Sequence, residues 1–164
     1  MIRIALAIAA LAGASAAFAQ APVGASQEVL QRQANQQQRI DNGLKDGSLT
    51  TREAARLEKK EAALDRSIAR DEKNGLSPRE ARRINARENA LSRQIHAERT
   101  NGVRGDPASA SSRRMQADVQ RNANQDRRMA QGARAGQLSP HEISTLERGQ
   151  AHVDRKEARD RAAN

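Results

Sequence analysis

The chain has 164 residues, with 29 Lys and Arg against 20 Asp and Glu, a formal net charge of +9, and no Cys, Trp or Tyr. That excludes a disulfide framework, a thiolate metal site and a cysteine nucleophile. With Phe18 as the one aromatic residue, it also excludes aromatic stacking platforms for single-stranded nucleic acid. The length allows no more than one or two small domains.

The chain opens with Met1-Ile2-Arg3, an apolar run from Ile4 to Leu11, and Ala17-Phe18-Ala19 before Gln20. This order of positive start, short apolar stretch and A-x-A site is that of a secretory signal peptide over residues 1–19. The apolar run is well short of the roughly 20 residues that span a bilayer. The expected product begins at Gln20, carries no transmembrane segment, and is periplasmic or secreted. From Gln20 onward Leu, Ile and Val make up 19 of 145 residues. That is below the roughly 20% at which a highly charged chain is suspected of disorder. A thick core is therefore not expected, but helices sharing narrow apolar seams are, because Ala, Arg, Glu, Gln and Leu favour helix in every segment.

Two internal repeats organise the rest. At an offset of 27 residues, Leu49-Thr50-Thr51-Arg52-Glu53-Ala54 matches Leu76-Ser77-Pro78-Arg79-Glu80-Ala81. At an offset of 89, Leu30–Glu72 aligns without a gap to Val119–Arg161, with 18 identities in 43 positions. Repeats of this length mark duplicated helical units. Their shared signature is a glycine followed by Leu-[Ser/Thr]-x-x-Glu. Gly47, Gly75 and Gly136 suit the left-handed residue that ends a helix. Thr50, Ser77 and Ser139 are N-caps, and Glu53, Glu80 and Glu142 complete capping boxes. Pro78 and Pro140 fit the first helical position, and Leu49, Leu76 and Leu138 the hydrophobic staple.

In chain order these signals predict helices near Gln27–Lys45, Thr51–Lys73, Pro78–Thr100, Arg114–Arg134 and Pro140–Arg161. The Gly/Ser/Pro-rich stretch 101–112 reads as a linker. It divides a three-helix unit (20–100) from a two-helix unit (113–164) that duplicates 24–75. The expected fold is all-α: elongated helical hairpins built from duplicated amphipathic helices. Leu57, Leu64 and Ile68 form one apolar stripe, and Ile84, Leu91 and Ile95 another, with arginines opposite. Stripes of three aliphatics do not easily offset the ordering of a whole helix. The helices are expected to be partly disordered alone unless they pair or the chain associates, a homodimer being one route. Glu61, Glu88 and Gln150 fall within the stripes and are expected to pair with arginines at the seam edge.

No nucleophile–base–orienter set stands out, so no catalytic residue and no cofactor are assigned and the chain does not read as an enzyme. His96, His141 and His152 are too dispersed to share a metal. Asn42 to Glu53 fits part of an EF-hand frame through Asn42, Asp46 and Glu53, although Leu44 stands at a ligand position. A degenerate metal-responsive loop is thus one alternative. The charge gives another. Residues 76–137 carry +7, whereas 20–75 carry +1 and 138–164 carry none. Arg79, Arg82, Arg93, Arg113, Arg114, Arg121, Arg127 and Arg128 are the candidate surface for an anionic partner, such as an envelope glycan or lipid head group. Specific nucleic-acid binding is disfavoured in an exported chain. Arg104-Gly105-Asp106 reads as turn chemistry.

The stretch Gly47-Ser48-Leu49-Thr50-Thr51-Arg52-Glu53-Ala54-Ala55-Arg56-Leu57-Glu58 and its copies resemble small exported bacterial proteins of unassigned function that repeat G-x-L-[ST]-x-x-E. The nearest named group they are similar to is the LTxxQ family of periplasmic stress proteins, of the Spy and CpxP type. In this chain Glu53, Glu80 and Glu142 stand where that family has Gln. The resemblance implies a basic, all-helical, ATP-independent chaperone or stress-signalling adaptor, and a dimeric cradle. The leading expectation is an exported, non-enzymatic binding protein for protein clients or anionic envelope components.

Overall fold

The computed structural model describes residues 23–71 and 76–162, and side chains within 27–71 and 76–153. The expected signal peptide and Gly75 lie outside the described residues. The described residues form five helices, α1 (Val23–Lys45), α2 (Thr51–Asp71), α3 (Pro78–Thr100), α4 (Ala110–Arg134) and α5 (Pro140–Ala162). No strand occurs among the described residues. The fold is all-α, as expected.

The helix starts follow directly from their residues. The backbone N–H of Thr50 donates to Glu53 Oε2 (2.8 Å), and that of Glu53 to Thr50 Oγ1 (3.2 Å). The same reciprocal pair joins Ser77 to Glu80 (2.9 and 3.3 Å) and Ser139 to Glu142 (2.8 and 3.3 Å). Each box satisfies two orphan helix donors. Leu49 with Ala54, Leu76 with Ala81, and Leu138 with Ile143 lie in shared apolar clusters, as staples require. Gly47 and Gly136 have φ of 72° and 68°, a region costly for residues with a Cβ. Replacing Ser77 by Ala is expected to cost about 1 kcal/mol. Chemical denaturation would show this as a lowered midpoint with an unchanged slope.

α4 starts four residues before the expected Arg114, because Ser109 accepts from the Ser112 N–H (3.2 Å) and caps it. The Ser-rich end of the expected linker is therefore the first turn of a helix. The remainder is held against the α1–α2 turn: Gly105 N–H donates to Gly47 O (2.9 Å). A Cβ at Gly105 would lie 2.4 Å from Leu49 O, so only glycine permits this approach.

The dominant packing joins the two sequence units. α1 and α4 run antiparallel in the most extensive helix pair, and α2 pairs with α5. Along α1 and α4, Lys45 Nζ donates to Gln120 Oε1 (3.0 Å), Arg127 to Gln38 (3.4 Å) and Arg134 to Gln31 (3.3 Å). At the 89-residue offset Lys45 corresponds to Arg134, Gln31 to Gln120 and Gln38 to Arg127. The three contacts thus map onto one another, and the duplicated hairpins are related by a pseudo-two-fold axis near Gln38 and Arg127. Ala34, Ala123 and Ala130 between these contacts are buried, and their small side chains let the backbones come close.

α3 breaks this symmetry. It lies mainly against α1 and α2, placing Ile84, Leu91 and Ile95 in a core with Ile40, Leu57, Leu64 and Ile68. Met115 and Val119 of α4 complete that core. A smaller cluster, Leu30, Met129, Ala130, Ala133 and Ile143, closes the other end of the α1–α4 pair.

Candidate functional site

The oxygens of the EF-hand-like frame are taken by protein donors. Asn42 Oδ1 accepts from Gln38 (3.0 Å). Asp46 accepts from Ser48 N–H (2.8 Å) and Arg99 (2.7 Å), and Glu53 Oε1 from Asn101 Nδ2 (2.8 Å). Burial pushes both carboxyls up, but these hydrogen bonds, with Arg99 beside Asp46 and Arg56 near Glu53, outweigh it and leave each below its ordinary value. The loop is a self-satisfied turn. Among the described residues no three His, Cys, Asp or Glu are grouped to hold a metal.

The eight arginines of the expected anionic surface are all exposed. Arg121 pairs with Asp118, and Arg127 donates to Asn124 Oδ1 (2.8 Å). Among the described residues the side chains of Arg79, Arg82, Arg93, Arg113, Arg114 and Arg128 make no hydrogen bond or ion pair. Arg79, Arg82 and Arg93 lie on α3, and Arg113, Arg114, Arg121, Arg127 and Arg128 on α4. His96, His141 and His152 are exposed and dispersed.

The expectation that Glu61, Glu88 and Gln150 would pair with arginines at a seam edge holds in its pairing for Glu88 and fails for Glu61 and Gln150. All three are buried. Glu88 has Arg32 Nη1 at 3.6 Å. Gln150 Nε2 instead donates to Asp126 Oδ1 (2.9 Å). Glu61 is 2% exposed and neither carboxyl oxygen has a hydrogen-bond partner. Around it lie Asp65, Asp126, Glu58 and Glu88, and burial and these charges push its carboxyl well above the ordinary range. Gln33 Nε2 donates to Asp65 (2.7 Å) and Asn122 to Glu58 (3.4 Å). Helix periodicity hides this polar interior, because it counts every amide and carboxylate as a solvent face. The available signal is the 89-residue repeat, which keeps Glu58 as Glu147 and Gln33 as Asn122.

An open concave feature lies between α4 and α5. A cavity of about 460 Å³ is lined by Gln125, Arg128, Met129, Leu138, Thr145, Leu146, Gly149, Gln150 and Val153. Leu146 and Val153 are 46% and 48% exposed on its floor. Their counterparts at the 89-residue offset, Leu57 and Leu64, are 0% and 4% exposed under α3. The arginine surface read from the sequence includes Arg128 but misses this groove. Stripe counting cannot see it, since it is made by one copy having a third helix on it and the other having none.

No protein-family model, curated protein or solved structure matches this chain.

Proposed function

We propose that the chain is an exported, non-enzymatic helical protein that holds segments of other polypeptides weakly and reversibly, in the manner of a chaperone. The observation that carries this reading is the α4–α5 groove: an apolar floor with two half-exposed aliphatics, and Arg128 as the one charged lining residue among those described. Sites of this form, mostly apolar with a few placed polar groups, are where ligands are held. The unpartnered arginines outside the groove favour clients with acidic flanks. The likeness of the Gly-x-Leu-[Ser/Thr]-x-x-Glu repeats to the LTxxQ periplasmic family points the same way. The metal-responsive alternative loses support from the occupied oxygens of Asn42, Asp46 and Glu53.

The test is client protection. An equimolar amount of the protein is expected to slow the light-scattering rise of a reduced or heat-treated client, with weaker protection at high salt as charges are screened. Unchanged aggregation at equimolar protein removes the chaperone reading.

A further inference from the structure

The internal duplication shows the same groove twice, once filled and once open. In the filled copy, α3 lies in the angle of α1 and α2 with Ile84, Leu91 and Ile95 buried. Besides its own side-chain contacts to α1 and α2, two side chains of α1 reach its backbone. Gln36 Nε2 donates to Glu88 O (3.4 Å), and Arg39 donates to Ser92 Oγ (2.6 Å) and Ser92 O (3.1 Å). At the 89-residue offset Gln36 corresponds to Gln125 and Arg39 to Arg128, with identical residue types. Both line the open groove. The floor is conserved in kind, with Met129 for Ile40, Leu138 for Leu49, Leu146 for Leu57 and Val153 for Leu64. The rim is cleared: Arg56 and Lys60 become Thr145 and Gly149, and a Cβ at Gly149 would meet nothing within 4 Å.

We propose that the α4–α5 groove is a docking site for one amphipathic helix of another protein, carrying aliphatic side chains at i, i+7 and i+11 as α3 does. The proposal rests on the binding-protein reading above and names its site and ligand class. Shape selects a single helix, because the groove is concave and its twin is filled by one. Charge selects the flank: among the described residues Arg128 has no partner and no carboxylate shares the lining, so the incoming helix presents a hydroxyl or carboxylate at the position after its central aliphatic, as Ser92 follows Leu91. Two copies meeting groove to groove would bring Arg128 toward Arg128 and leave concave walls facing each other.

The test uses a fluorescein-labelled synthetic peptide spanning Leu76–Asn101, titrated into the purified protein and followed by anisotropy. Saturable one-to-one binding is expected. Leu146→Glu and Arg128→Glu should each weaken it tenfold or more, while a peptide carrying Leu91→Asp should not bind. Leu146 and Arg128 are exposed, so both protein variants should melt like the wild type, which keeps a loss of binding interpretable. Absence of saturable binding overturns the proposal. So does equal binding to Leu146→Glu, which would mean that the peptide exchanges with α3 on α1–α2. Sedimentation showing a wild-type dimer that Leu146→Glu dissolves also overturns it, in favour of a second copy as the occupant. Client protection measured on the same variants separates the two readings. Protection that survives Leu146→Glu removes the groove and leaves the chaperone reading. Peptide binding without client protection does the reverse.

Discussion

Thermal stability is expected to fall as the pH is raised from 5 to 9, the opposite of the usual acid sensitivity of a carboxylate-rich chain. Burial pushes the Glu88 carboxyl up to about 8; Arg32 at 3.6 Å pulls it down and Glu28 pushes it further up. Glu61 is displaced in the same direction, by burial and by Asp65, Asp126, Glu58 and Glu88. A carboxyl whose folded pKa is raised holds its proton more tightly in the native state. Its stabilisation is complete below the unfolded value near 4.5 and is lost as pH rises through about 8. At about 1.4 kcal/mol per unit of pKa, Glu88 alone accounts for a loss on the order of 4–5 kcal/mol by pH 9, and the melting temperature should drop by about 10 °C or more. On the acid side the sign reverses. Asp46, Glu53, Glu80 and Glu142 have lowered pKa values from their hydrogen bonds, and their contribution is lost as pH falls below the ordinary carboxylate range. The stability maximum therefore lies near pH 5. Melts of the wild type and of Glu88→Gln across this range decide the matter. The variant should be flatter and the more stable of the two at pH 9, and Glu61→Gln should flatten the profile further. A wild-type profile that is level or rising between pH 5 and 8 would show that these carboxyls are not buried as described.

The duplicated helices supply a second large effect. Leu57 and Leu146 occupy equivalent positions, yet the first is fully buried beneath α3 and the second is 46% exposed. Leu57→Ala should cost about 2–5 kcal/mol, the range for truncating a buried leucine and leaving a cavity. Leu146→Ala should change stability by about 0.5 kcal/mol or less, as for surface substitutions. Urea denaturation of the two single variants side by side gives the contrast directly. Equal costs would mean that the α4–α5 groove is already closed in solution, and would remove the basis for a docking helix there.

Much of the secondary structure is legible because it is local. A glycine followed by Leu-[Ser/Thr]-x-x-Glu encodes a helix stop and a capping box within seven residues. All three N-terminal boxes form at Thr50, Ser77 and Ser139. The start of α4 is not legible in the same way, since Ser109 sits in a run of small residues whose composition suits a linker and a cap equally well. The tertiary pairing is harder still. The 89-residue repeat announces a duplication without saying whether the copies sit side by side or interlock. What decides it is that Ala34, Ala123 and Ala130 permit a close antiparallel pair, a property of two surfaces together. The candidate site was half legible. Arg128 shows in the charge pattern, but the groove depends on α3 covering one copy and leaving the other. The buried layer around Glu61 ran against the expectation of a seam-edge ion pair. The stripe had too few aliphatics to fill the interior that the interlocked hairpins enclose, and amides and buried carboxyls complete it.

The antiparallel pairing of α1 with α4 also fixes an order of events for a chain that is delivered from its N-terminus. The contacts along this pair join residues between 75 and 106 positions apart, as in Lys45 with Gln120 and Gln27 with the carbonyl of Ala133. Such separation is high for a helical protein, and long loops must close before these contacts give any return. While the first hundred residues emerge, α3 can settle against α1 and α2, but the face of α1 that belongs to α4 stays bare. The molecule therefore passes through a half-built state each time it is made, with its own unmatched helix surface awaiting the second copy. A slow phase in refolding, sensitive to substitutions at Ala34 and Ala123 and insensitive to those in the α3 stripe, would be its kinetic trace.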